Sequence, residues 1–174
     1  MDIESYPHIK NIGNKCALSF KDCKIEGRAI CIQLKVDGSN VAFWKNHKTG
    51  EVMFRSRNLM LDPCGDRFDK KFKTLVTEIN SISDILNPGY VYRGEYFENK
   101  KLNVIEYNRV PKHNFVLFDL QEKKSGKYMD VLEVLNEALS QQVPYKSFWA
   151  NQDISILGVS FCKRQSAGHG YLSL

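Results

Sequence analysis

The chain has 174 residues, 43% of them hydrophobic, which fits one globular domain with apolar surface enough for a core. No apolar run is long enough to cross a bilayer, the opening Met1-Asp2-Ile3-Glu4-Ser5 lacks signal-peptide order, and the five scattered cysteines form no C-x-x-C pair. Membrane insertion, a disulfide framework and a zinc site are therefore unsupported, and the expectation is a protein of the cytoplasm or another soluble intracellular compartment. The net charge of +5 gathers in lysine clusters at Lys70, Lys71 and Lys73, at Lys100 and Lys101, and at Lys123, Lys124 and Lys127. Such clusters suit a phosphate-rich partner, and equally a plain solvated surface.

In chain order, Ala29 to Val36 alternates apolar and polar residues: Ile30, Ile32, Leu34 and Val36 point one way, Cys31, Gln33 and Lys35 the other. That is a half-buried strand, with Gly38 as its turn. A strand from Asn40 to Lys45 follows, then a turn over 46–50 and a third strand from Glu51 to Arg57, which together read as an antiparallel meander. Phe68, Phe72, Leu75, Val76 and Ile79 recur at helical spacing, with Asp66 the expected N-cap. Asn87-Pro88-Gly89 is a turn before an aromatic-rich strand, Tyr90 to Phe97, and Phe115 to Leu120 is another apolar strand. Met129, Leu132, Leu135 and Leu139 predict a second helix ending before Pro144. The order gives an α+β fold with mostly antiparallel sheets and flanking helices.

Three stretches carry polar residues where a site would need them. In Lys35-Val36-Asp37-Gly38-Ser39-Asn40, a lysine sits on the polar side of a strand beside a glycine turn. An amine is nucleophilic only when neutral, and near pH 7 a lysine of ordinary pKa is neutral in under about 0.1% of molecules, so neighbouring positive charge or desolvation must help. Arg55 and Arg57 stand on one face of a nearby strand. By itself, K-x-D-G arises by chance in roughly a few per cent of chains this long. In Tyr92-Arg93-Gly94-Glu95-Tyr96, Arg93 and Glu95 share a face; the carboxylate suits ribose hydroxyls or a metal ion, and a surface ion pair would also explain it. Phe115-Val116-Leu117-Phe118-Asp119 runs an apolar strand into a carboxylate, and an aromatic ring there suits a base.

Taken in series, K-V-D-G-S-N, F-R-S-R-N at Phe54 to Asn58, Y-R-G-E-Y and L-F-D-L resemble the covalent nucleotidyltransferases, above all the nick-sealing, phage-type ATP-dependent RNA ligases. Tyr107-Asn108-Arg109-Val110-Pro111 and, more weakly, Tyr6-Pro7-His8-Ile9-Lys10 resemble the same group. The resemblance implies a nucleotidyltransferase (ATP-grasp-like) domain over 1–158, followed by a tail, 159–174, without counterpart. It implies Lys35 as the nucleophile that takes AMP from ATP, with Asp37, Gly38, Asn40, Arg57, Glu95 and Phe118 around the nucleotide. Phe118 would stack on adenine, and Asp119 and Glu95 would serve the metal, Mg2+ or Mn2+. Arg55 is the neighbour that competes with Arg57 for its role. Because Phe118 and Asp119 are adjacent, a bend is needed for both to reach one site. The implied reaction seals 5′-phosphate and 3′-hydroxyl ends of nicked or broken RNA, DNA being a second substrate, by a monomer.

The sequence departs from that pattern in two places. Leu34 stands where many relatives carry glutamate, and the later glutamate-glycine and K-x-K motifs do not follow the similar stretch Ser155-Ile156-Leu157-Gly158. The expectation is a truncated or frame-shifted ligase with weakened catalysis and a poorly packed tail. A DNA ligase or capping guanylyltransferase, which share K-x-D-G, and a non-catalytic nucleotide- or RNA-binding remnant are the alternatives.

Overall fold

A computed structural model describes residues 3–7, 36–66, 68–101, 106–141 and 143, together with the backbone of 31–33 and 171–173. Lys35, Leu34, His8 to Lys10 and the stretch 144–170 lie outside the described residues. The elements, in order, are β1 (Cys31–Gln33), β2 (Ser39–Lys45), β3 (Val52–Ser56), β4 (Met60–Leu61), α1 (Lys73–Ser81), β5 (Tyr90–Tyr96), β6 (Phe115–Glu122), α2 (Val131–Ser140) and β7 (Tyr171–Ser173).

Five strands form one antiparallel sheet in the order β4-β3-β2-β5-β6. The β2–β3 hairpin closes where Asn46 N–H donates to Glu51 O, and Gly50 takes the left-handed φ of +75° that this turn requires. Strand pleating sends Val41, Phe43, Phe54, Tyr92, Tyr96, Phe115, Leu117 and Leu120 into one core. Leu75 and Ile79 of α1, and Val134 and Ala138 of α2, cover them. Full burial of each large side chain contributes about 1.5–3 kcal/mol, which makes this the main stabilising layer. On the other sheet face, among the described residues, Ile3 packs on Ala42, Trp44 and Val91, and Val36 and Phe97 pack with Val116.

The structure corrects the sequence reading at four points. The strand around Cys31–Gln33 does not join the meander; its backbone pairs in parallel with Tyr171–Ser173. Helix α1 starts at Lys73, after a 3-10 turn over Lys70–Phe72, and the capping carboxylate is Asp69, not Asp66, accepting from Lys71 N at 3.1 Å. Asp66 instead ends the tight turn that Asp62 organises by accepting from Cys64 N. In α2 the buried stripe is Val134 and Ala138, leaving Leu132 and Leu139 exposed. A capping box between Asp130 and Glu133 sets the helix start, and small Ala138 permits the close approach that a leucine would block. Finally, β3 ends at Ser56, so Arg57 lies one residue beyond it.

Candidate active site

The sheet face opposite the main core collects most of the residues singled out in the sequence. Asn40 of β2 lies directly opposite Glu95 of β5, and Ala42 opposite Arg93. Gly38 sits so close to β5 that a Cβ there would lie 2.8 Å from Tyr96 O and 3.4 Å from Glu95 Oε2. A side chain at this position would push the loop around Gly38 off the strand. Asp37 is tied to the same region, its N–H donating to the Tyr107 hydroxyl at 2.7 Å.

The bend required at Phe118 is present as a β-bulge. Arg93 pairs with Asp119 but the next residue, Gly94, pairs with Leu117, so Phe118 is the extra residue on β6. Both side chains then reach one neighbour. Tyr6 packs its ring edge-on against Phe118, centroids 4.8 Å apart, and its hydroxyl donates to Asp119 Oδ2 at 3.0 Å. Gly94 makes the bulge possible, because a Cβ there would fall 2.3 Å from both the Phe115 ring and Val116 O.

Asp119 is 1% exposed, and its Oδ1 also accepts from Leu120 N at 2.9 Å. Arg93, 2% exposed, is no surface partner of Glu95. Its guanidinium donates to Gln121 Oε1 at 2.6 and 3.2 Å and to Glu4 O at 2.9 Å, and lies 5.8 Å from the ring centroids of both Tyr6 and Tyr128. Burial pulls its pKa below the usual range, with the approach of Tyr128 and Asp119 opposing. A guanidinium keeps its proton there, so the site gains fixed positive charge beside Asp119. Arg55 donates to Ile3 O and to Ser56 O and so pins the N-terminal segment, whereas Arg57 is exposed, just past the Val41–Ser56 pair and thus level with Asn40.

Asn40, Glu95, Phe118 and Asp119 are therefore brought to one face, with Asp37 and Gly38 at its edge; Lys35, two residues before Asp37, lies outside the described residues. Tyr107, Arg93, Gln121 and Tyr128 were given no role from sequence. Tyr107 lies inside a quoted motif, but nothing in its spacing points across 70 residues to Asp37. For a metal, the hard carboxylate oxygens of Glu95 and Asp119 fit Mg2+ or Mn2+ chemically. Among the described residues no three histidine, cysteine or carboxylate side chains form a cage. Also among the described residues, no helix is long and apolar enough to cross a membrane.

A family model described as RNA ligase matches residues 28–164. Among solved structures, two forms of an archaeal ATP-dependent RNA ligase are similar. One has 20% identity and a TM-score of 0.54, and the other 18% and 0.53; each match covers 83% of this chain and 36% of that one. A Naegleria gruberi RNA ligase variant with ATP and Mn aligns at 14% identity and a TM-score of 0.47, over 66% of this chain and 34% of that chain. The chain thus spans about a third of the length of these solved chains. At such identities the archaeal pair supports the fold, an α+β nucleotidyltransferase with an antiparallel sheet. No curated protein matches the chain.

Proposed function

The chain belongs to the RNA ligase family, and we propose that it is the adenylyltransferase part of an ATP-dependent enzyme that joins RNA ends. The observation that carries this reading is the bulge at Phe118, which turns an aromatic ring and a buried carboxylate toward the face that also bears Asn40 and Glu95.

In this reading the Lys35 amine attacks the α-phosphorus of ATP, a phosphoramide N–P bond forms, and pyrophosphate leaves. The AMP then passes to an RNA 5′-phosphate, and a 3′-hydroxyl displaces it to close the phosphodiester. Phe118 presents its ring to adenine, Glu95 accepts from ribose hydroxyls, and Asn40 and Arg57 donate to phosphate oxygens. Gly38 lets the loop lie flat on β5 so that the nucleophile enters in line. A divalent ion held by Glu95 and Asp119 would supply charge neutralisation at the phosphate. Asp119 reaches it only if the Tyr6 hydroxyl yields its bond.

Incubating the intact chain with α-labelled ATP and Mg2+ or Mn2+ tests the reading. Covalent label is expected with ATP and lost in Lys35→Ala and Lys35→Arg, because guanidinium stays protonated. Labelling by GTP alone would move the assignment to capping chemistry, and no labelling by either nucleotide would overturn it.

A further inference from the structure

We propose that Tyr107 is a positioning residue for the attack by Lys35, its hydroxyl holding the nucleophile loop against the strand that carries Glu95. The inference rests on the reading of Lys35 as nucleophile and adds a residue to it.

The hydroxyl takes the Asp37 N–H at 2.7 Å, a bond between residues 70 apart in the chain. The ring itself is held: it stands edge-on to Phe97, centroids 5.3 Å apart at 80°, and packs with Val110 against a buried cluster of Val36, Phe97 and Val116. The hydroxyl thus hangs from the hydrophobic core of the sheet, and the loop backbone hangs from the hydroxyl. Burial, with the nearby carboxylates of Asp37 and Glu95, raises the phenol's pKa against the opposing Asp37 N–H, so it stays neutral.

One residue, Val36, stands between Asp37 and Lys35, so their Cα atoms are at most about 7 Å apart, and displacement of the Asp37 backbone carries over to the point from which the lysine side chain starts. A nucleophile must come within about 3–3.5 Å of the phosphorus in line, and a misplacement of 1 Å costs about 100-fold in rate. In Tyr107→Phe the ring still fills its place against Phe97, and loss of the bond from the Asp37 N–H costs about 1 kcal/mol, too little to unfold the domain. Loss of the oxygen therefore separates positioning from structure.

The test compares the intact wild-type chain with Tyr107→Phe in three measurements. Formation of the lysyl-AMP adduct at saturating ATP should slow by about 10- to 100-fold, with KM for ATP changed less than about two-fold. Joining of a chemically pre-adenylylated RNA end, which bypasses the lysine, should keep its rate. Amide hydrogen exchange at Asp37 should quicken, while the amides of Val41 and Tyr92 in the sheet should not change. Equal adduct rates in the two proteins, an Asp37 amide indifferent to the substitution, or a parallel loss in both reactions would each overturn the positioning role. A wild-type chain that takes no label from ATP would overturn the functional reading first, and this role with it.

Discussion

Tyr6 makes two contacts that bear on the site: an edge against the Phe118 ring and a hydroxyl bond to Asp119. Beneath it lies Arg93, which ties the Glu4 carbonyl to Gln121 on β6. The N-terminal segment is thus fastened to the sheet by a buried cation, a carboxylate and edge-to-face rings. Replacing Arg93 by Met removes its hydrogen bonds and its charge together, and unfolding in urea should show a loss of about 2–4 kcal/mol. Tyr6→Phe keeps the ring and removes one bond to a buried carboxylate, for about 1.5–3 kcal/mol. A loss below 0.5 kcal/mol for Arg93→Met, a bound typical of surface substitutions, would mean the network contributes no stability. Phe118→Ala removes the ring proposed to stack on adenine. ATP affinity by calorimetry should fall by about 1–3 kcal/mol, while unchanged affinity would remove the base from this ring.

Gly94 decides whether β5 and β6 can pair with a bulge at all. Its missing Cβ leaves room for the Phe115 ring and for Val116 O, each 2.3 Å from where that carbon would stand. Gly94→Ala must part the strands or move Phe118, at a cost of about 1–3 kcal/mol, and should weaken ATP binding as well. Unaltered thermal stability and binding in this variant would show that the bulge tolerates a side chain.

The central strands were legible through composition and bounding turns: β5 is rich in aromatics and β6 is a short apolar run, and much of β2, β5 and β6 is buried on both faces, which leaves little alternation. The bulge was required by the adjacency of Phe118 and Asp119, but no periodicity located it on β6. The register slip sits between Arg93 and Gly94, and only the pairing of two strands reveals it. Of the expected α2 stripe, Met129 and Leu135 pack against the core while Leu132 and Leu139 are exposed, because leucine is the stronger hydrophobic signal and the helix turns Val134 and small Ala138 to the sheet. The start of α1 was placed early because Asp66 and Asp69 offer the same capping chemistry, and local turn geometry chooses between them.

At the scale of the whole molecule, a two-layer arrangement assigns the sheet's faces to different tasks. The helix-covered face holds the main apolar core, and the other carries Asn40, Arg93, Glu95 and Asp119. The buried tyrosines couple that stability to pH. Tyr92 donates to Glu137 Oε1 at 2.5 Å and accepts from Asn87 N at 2.8 Å, joining α2 to β5. Burial, and then the bond to Glu137, raise its pKa well above the ordinary 10.0. The folded state holds this proton more tightly than the unfolded chain does. The contribution is therefore complete below about pH 10 and is lost as pH rises beyond it toward the folded pKa. Tyr96, Tyr107 and Tyr128 are shifted in the same direction, each chiefly by burial. The melting temperature should fall steeply above pH 10, and less steeply in Tyr92→Phe. Parallel profiles for the two proteins would show that Tyr92 is not part of the coupling.

The proposed function turns on one chemical event, the attachment of AMP to Lys35. Mass spectrometry of the intact chain after exposure to ATP and Mg2+, followed by peptide mapping, examines that event directly. The account requires one adenylyl group per chain, on the peptide containing Lys35, at the side-chain nitrogen. An unmodified chain, or an adduct on any other residue, would contradict it.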